Sequence, residues 1–253
     1  MQEKLNISQG FTIPVLDHGF VRYLDHMGGD ETVVAAARVS YHSESKGPEA
    51  DQKLLHYLYK NKHTSPFEMV KISFNIKMPI FVMRQYVRHR MQNLNEVSAR
   101  YTELPNQFYI PKAWRKQDGT NRQGSVAADN FGPDGDGGTI RSADLARMVN
   151  DHCNFTYSEY RHLLAMGVAR EMARMILPVN IYTEIVCCWD MKNLLHFLTL
   201  RDDSHAQAEI QEYAKAMKTI CRELFPLIME AHDRFKFPMV DTADPHNDQF
   251  RTA

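Results

Sequence analysis

The amino-acid sequence predicts an α+β fold: a mixed or antiparallel sheet with long amphipathic helices, in a single domain. Two observations carry this. Period-two and helical-period segments both occur along the chain, without the regular alternation that builds a parallel α/β sheet. Hydrophobic residues make up 43% of the 253 positions, enough for one sizeable core at this length.

The elements follow in chain order. Residues 14–25 read as an edge strand with a turn at Gly19. Residues 31–40 are alanine-rich and helical, and residues 51–60 place Leu54, Leu55 and Leu58 on one helical face. Ser65-Pro66-Phe67-Glu68 has capping-box spacing, with proline at the first helical position. In residues 70–77, Val70, Ile72, Phe74 and Ile76 alternate with Lys71, Ser73, Asn75 and Lys77, a strand with one buried face. Pro79 opens a helix expected to reach about Arg90. Residues 91–111 read as a loop followed by extended chain ending at Phe108-Tyr109-Ile110-Pro111. Residues 115–139 are polar, glycine-rich and short of apolar anchors, which predicts a mobile insertion within the single domain 1–253. Helical pattern resumes over residues 140–165. A second helix, 168–177, is stopped by Pro178. Residues 181–189 are β-branched and aromatic, a strand. Residues 191–200 and 205–235 are amphipathic helices, the latter kinked at Pro226.

The formal net charge is −1, which argues against non-specific binding to nucleic acid or to a membrane surface. No run approaches the roughly 20 apolar residues of a membrane span, and the first residues lack a secretory pattern. Cys153, Cys187, Cys188 and Cys221 form no Cys-x-x-Cys pair, so we expect core thiols in a reduced, cytoplasmic protein. His196 and His205 have poor zinc spacing and no metal is expected.

The densest chemistry lies in Arg84-Gln85-Tyr86-Val87-Arg88-His89-Arg90, followed by the stretch from Met91 to Tyr101. On a helix, Gln85, Arg88 and His89 share a face, while Arg84 and Arg88 repel mildly unless an anion sits between them. Guanidinium groups suit phosphate. The segment therefore reads either as a phosphate or dinucleotide clamp or as a solvated basic face.

Arg88-His89-Arg90 followed after seven residues by Ser98, then Arg100-Tyr101, resembles the signature of the flavin-dependent thymidylate synthases. Further blocks resemble the family in the family's order. They are Ala36-Ala37-Arg38-Val39-Ser40, His63-Thr64-Ser65-Pro66-Phe67-Glu68, Pro79-Ile80-Phe81-Val82, Phe108-Tyr109-Ile110-Pro111, Ala173-Arg174 with Leu177-Pro178, and the run from Leu200 to Gln207. The resemblance implies a homotetramer with active sites shared between subunits. It implies methylation of dUMP to dTMP with FAD, NADPH and 5,10-methylenetetrahydrofolate. It implies dUMP contacts from Gln85, Arg88, Glu96, Ser98, Arg100, Arg174 and Arg201. It implies cofactor contacts from Ser40, His63, Ser65, Arg88, His89, Arg90, Glu96, Asp190, Lys192 and His196. Arg201 is the expected catalytic residue, its guanidinium favouring the pyrimidine ionised at N3. Read alone, Ser65 is equally a plain helix cap, His63 a helix-end residue and Arg174 a surface arginine. The chain departs from the family pattern at Asp190-Met191-Lys192 and His196, where Asn-x-Arg and a later Asn are common, and at Ala99, often Gly. Cys187 and Cys188 lie in an apolar strand with no cation to lower a thiol pKa, and Ser98 has no base partner. Neither a cysteine nor Ser98 is therefore read as a nucleophile.

Overall fold

The computed structural model describes residues 6–40, 42, 44–119, 124–133 and 138–235. Its centre is a five-stranded antiparallel sheet, ordered β1 (Thr12–Val15), β2 (Gly19–Met27), β3 (Lys71–Pro79), β9 (Tyr182–Asp190) and β4 (Gln92–Glu96). The expected α+β class holds. The alternation read in residues 70–77 holds as well: Ile72, Phe74, Ile76 and Met78 are fully buried. They pair with Trp189, Cys187, Ile185 and Thr183 on β9. Packed against this face are α2 (Pro48–Lys60), α3 (Ile80–Tyr86), α6 (Met191–Arg201), α7 (Ala208–Leu224) and α8 (Pro226–Arg234). α1 (Asp30–Val39) packs beside them. α4 (Ser142–Ala165) covers a smaller core of Ala99, Leu104, Phe108, Cys153 and Ile181. Burying the several dozen apolar side chains of the main core is the dominant stabilising term, at roughly 25 cal/mol per Å² of apolar surface.

The edge strand expected at 14–25 is a hairpin. The chain reverses at residues 16–18, and Gly19 opens β2. Gly19 is required by close approach: a Cβ there would lie 2.7 Å from the Val15 carbonyl and 2.8 Å from that of Lys77, and would collide with the Tyr213 hydroxyl. Pro226 breaks the last helical run completely, α8 beginning at the proline itself.

Four local expectations are corrected. Ser65–Met69 is a single 3-10 turn in which no side chain caps the first amides. Glu68, expected to reach back in a capping box, instead pairs with Lys192 at 2.5 Å. The helix from Pro79 ends at Tyr86 rather than near Arg90, because β4 must pair with β9 from Gln92 onward. β4 itself replaces an expected loop. Gln-Asn-Leu-Asn-Glu has weak strand preference, and its pairing with β9 is a tertiary effect. The helix expected over 168–177 is only α5 (Arg170–Ala173) plus a 3-10 turn at Arg174–Ile176. Leu177 precedes Pro178 and is extended, as the residue before proline prefers.

The described part of the 115–139 insertion forms two small hairpins. β5 (Arg115–Gln117) pairs with β6 (Ser125–Ala127), and β7 (Asn130–Pro133) pairs with β8 (Thr139–Arg141). Residues 120–123 and 134–137 lie outside the described residues.

Candidate active site

Because α3 ends at Tyr86, the arginine cluster is not one helical face. Arg88 and His89 instead form turns whose amides donate to Gln85 and Tyr86, each at 3.2 Å. Arg88 and Arg90 are exposed, and neither guanidinium forms a hydrogen bond or ion pair with another described residue. His89 turns inward. Its ring packs edge-on to Phe197 at 4.9 Å, near His196 at 6.0 Å and Trp189 at 6.5 Å. Burial, then the charges of Arg201 and His196, push its pKa down to about 4. The imidazole is neutral near pH 7. Its Nε2 accepts a hydrogen bond from Arg201 Nε at 3.0 Å, which leaves the ring proton on Nδ1.

That bond orients Arg201. With Nε held by His89, the two terminal nitrogens of the guanidinium remain for a cleft of about 720 Å³ lined by Gln85, Arg115, Arg201, Ser204, His205 and Gln207. Burial lowers the Arg201 pKa, but a guanidinium keeps its charge. Gln85 and Arg201, far apart in sequence, both line this cleft.

Glu96, Ser98 and Arg174 meet elsewhere. They line a second cavity of about 330 Å³ together with Ile80, Ala99, Leu104 and Thr183. Glu96 Oε1 accepts from Thr183 Oγ1 at 2.6 Å, which fixes the carboxylate. The Ser98 hydroxyl oxygen accepts the Arg100 amide at 3.3 Å. Arg100 itself forms an exposed pair with Glu171 at 3.1 Å. Such a pair is worth under about 1 kcal/mol and yields readily to a stronger anion. Within one chain, Gln85 and Arg201 therefore line one cavity and Glu96, Ser98 and Arg174 another, while Arg88 and Arg100 line neither of these two. α3 stands between the two cavities, with Ile80 on the second and Gln85 on the first.

Of the expected cofactor residues, Ser40, His63, Ser65 and Lys192 lie at the 65–69 turn, whereas Glu96 lines the second cavity and His89 holds Arg201. Ser40 caps the end of α1, which packs on this turn; Ser65 begins the turn, and His63 just precedes it with its ring against Tyr57 at 5.9 Å. Ser40, His63 and Ser65 are exposed. Lys192 is held over the same turn by Glu68. Asp190 is the N-cap of α6, accepting from the Asn193 amide at 3.0 Å and its side chain at 2.8 Å. An acceptor is what a cap requires, which accounts for aspartate serving at this position. Arg90 and Asp190 border one crevice of about 260 Å³.

Cys187 lies in the core beneath the site. Its sulfur accepts from the Tyr86 hydroxyl at 3.1 Å, which in turn accepts from Trp189 Nε1 at 2.7 Å. Burial pushes the Cys187 thiol up to about 12, so it is not a nucleophile near neutral pH. Among the described residues no three His, Cys, Asp or Glu side chains gather as a metal site, and no helix is long and apolar enough to cross a membrane.

Sequence reasoning missed Glu209. It is 3% exposed on α7 and accepts from Tyr109 Oη at 3.2 Å, Gln207 Nε2 at 2.8 Å and Arg115 Nη2 at 2.7 Å. Its signal is a carboxylate on the apolar stripe of Ile210, Tyr213, Met217 and Ile220.

Residues 22–227 match the sequence profile of a family described as "Thymidylate synthase complementing protein". Among curated relatives, a flavin-dependent thymidylate synthase of Thermus thermophilus is 46% identical over 222 residues, covering 88% of this chain and 78% of that one. One of Kosmotoga olearia is 45% identical over 227 residues, covering 89% and 94%. Among solved structures, a UMP/dUMP methylase, PolB, from Streptomyces cacaoi bound with 5-Br dUMP superposes with a TM-score of 0.76. It is 32% identical, with 88% of this chain and 98% of that one covered. With relatives this similar along nearly its whole described length, the chain belongs to the flavin-dependent thymidylate synthase family.

Proposed function

We propose that this protein catalyses the reductive methylation of dUMP to dTMP as a cytoplasmic homotetramer, with FAD, NADPH and 5,10-methylenetetrahydrofolate. When bound, the flavin supplies reducing equivalents drawn from NADPH, and the folate supplies the carbon. The observation that carries this reading is the Arg201–His89 hydrogen bond, which aims a half-buried, permanently charged guanidinium into a cleft shared with Gln85.

Arg201 is the catalytic residue in this reading, stabilising negative charge as it develops on the pyrimidine. Ser98, Arg100 and Arg174 hold the nucleotide, with Glu96 fixed beside them by Thr183. Ser98 positions and does not attack, since its hydroxyl is not hydrogen-bonded to a base among the described residues, the neighbouring Glu96 carboxylate being engaged by Thr183. Arg88 and Arg90 suit the phosphates of a dinucleotide because no carboxylate among the described residues neutralises them. Ser40, His63, Ser65, Lys192 and His196 border the remainder of that ligand. Lys192 must leave Glu68 to serve it, a modest cost for a half-exposed pair. The two separate groups of nucleotide residues support the shared-site tetramer: a site with both groups is completed when a second copy supplies one of them.

The test is tritium release from 5-tritiated dUMP with FAD, NADPH and methylenetetrahydrofolate supplied. Release that requires all three is expected. Absence of release from flavin-loaded protein overturns the reading.

A further inference from the structure

In the wall of the Arg201 cleft two amides form a chain whose direction is set from the carboxylate behind it. Glu209 is buried, and burial alone would raise its pKa. Hydrogen bonds from Arg115 and Gln207 outweigh that and hold the carboxyl below its usual range. An ionised carboxylate only accepts hydrogen bonds. Gln207 must therefore turn its NH₂ toward Glu209, as it does at 2.8 Å. Its carbonyl oxygen then faces the other way, where it accepts from Gln85 Nε2. Gln85 in turn gives one N–H to Gln207, which fixes its amide end for end and leaves its carbonyl oxygen as the acceptor it can present to the cleft it lines. Had a donor stood in place of Glu209, both amides could reverse.

We propose that Glu209 is a positioning residue that acts through Gln207 to fix Gln85 as a hydrogen-bond acceptor toward the bound nucleotide. The ligand chemistry selected is a donor, an N–H or O–H group, at the position facing Gln85. An acceptor or a phosphate oxygen is disfavoured there. This rests on the reading that dUMP occupies the Arg201 cleft. Arg115 has a second role in the same network. By pairing with Glu209 at 2.7 Å it ties β5 of the insertion to the cleft wall and helps keep the carboxylate ionised.

The relay predicts a specific coupling. Gln85→Glu keeps an acceptor toward the ligand but sets a second acceptor against the Gln207 carbonyl, which Glu209 prevents from turning. In a Glu209→Gln background, residue 209 can donate, Gln207 can reverse, and its NH₂ can then serve the carboxylate introduced at position 85. We therefore expect Gln85→Glu to lower kcat/KM for dUMP about 10-fold or more in the parent protein and only about 3-fold in the Glu209→Gln background. Because Glu209→Gln also weakens the hold on Arg115, Gln207→Leu provides a second background that leaves the Arg115–Glu209 pair intact. The Gln85→Glu penalty should shrink there too.

Thermal melts read the same coupling without substrate. Gln85→Glu should lower Tm by about 2–4 °C in the parent and less in either background. A penalty of equal size in all three backgrounds, by kinetics and by melting, overturns the relay. Parent protein that shows the melting coupling but releases no tritium from dUMP leaves the relay standing and sinks the proposed activity instead.

Discussion

Replacing Arg201 tests the catalytic reading at its centre. Its side chain makes one hydrogen bond to another described residue, from Nε to a neutral imidazole at 3.0 Å, and it is only partly buried. Arg201→Ala therefore costs the fold about 0.5–1.5 kcal/mol, against the roughly 5–15 kcal/mol of a typical domain. The variant stays folded. The loss falls on the reaction: removing one donor aimed at developing charge typically slows turnover about 100- to 1000-fold. Arg201→Lys should recover only part of this. An ammonium lacks the Nε–H that His89 accepts, so it cannot be held by the ring while presenting a planar pair of donors to the cleft. The assay is tritium release at saturating dUMP, alongside flavin content from the visible absorbance of the purified variants. Flavin content should fall far less than turnover. Arg201→Ala with near-parental turnover would refute the role, and so would a loss of flavin that alone accounts for the lost rate.

Other outcomes follow from the same geometry. With its folded pKa near 4, below the ordinary 6.5, His89 should produce no inflection in rate near pH 6.5. The sign of the linkage is that stability falls as pH drops from about 6.5 towards 4, where the unfolded chain takes up a proton that the folded ring refuses. A full shift would be worth roughly 3 kcal/mol, and about half of that remains for a ring partly open to solvent. Urea melts of the parent and of His89→Phe at pH 7 and pH 5 should show the parent losing more. Cys187→Ala with Cys188→Ala should keep turnover within about threefold while lowering stability by about 1–3 kcal/mol. A folded double variant that binds flavin and dUMP yet is inactive would reinstate a thiol. Sedimentation should find a tetramer, and activity should fall on dilution below its dissociation range; a fully active monomer would remove the shared site. Limited proteolysis should cut first within residues 115–139, whose described strands are three or four residues long and almost wholly exposed. First cleavage inside the sheet or the long helices would contradict this.

Much of the candidate site is legible in the sequence because its chemistry is dense and local. Arg88-His89-Arg90 with Ser98, and the run ending at Gln207, resemble family blocks whichever element carries them. What the residues do not announce is grouping. Gln85 and Arg201 meet only because α3 and α6 pack on the same face of the sheet. Glu96 reaches Thr183 only because β4 pairs beside β9. The helix expected through Arg90 shows the limit of local pattern. Val87, Arg88 and His89 are compatible with helix, and the demand that Gln92 join β9 decides otherwise.

The sequence by itself determined the α+β class, the buried face of β3, a disturbance of the last helical run at Pro226 and the family, since periodicity, proline stereochemistry and ordered motifs are properties of short segments. Only the tertiary structure decided that β4 is a strand, that Ser65 begins a 3-10 turn, and that His89 is neutral and holds Arg201. It alone revealed the buried Glu209 behind Gln207 and Gln85. Each of these depends on what lies opposite a residue in space: a β9 edge to pair with, a Lys192 to draw Glu68 away, a low-dielectric wall of Phe197 and Trp189. Strand pairing, desolvation and hydrogen-bond direction are set by neighbours distant in the chain, and these become neighbours only when the chain folds.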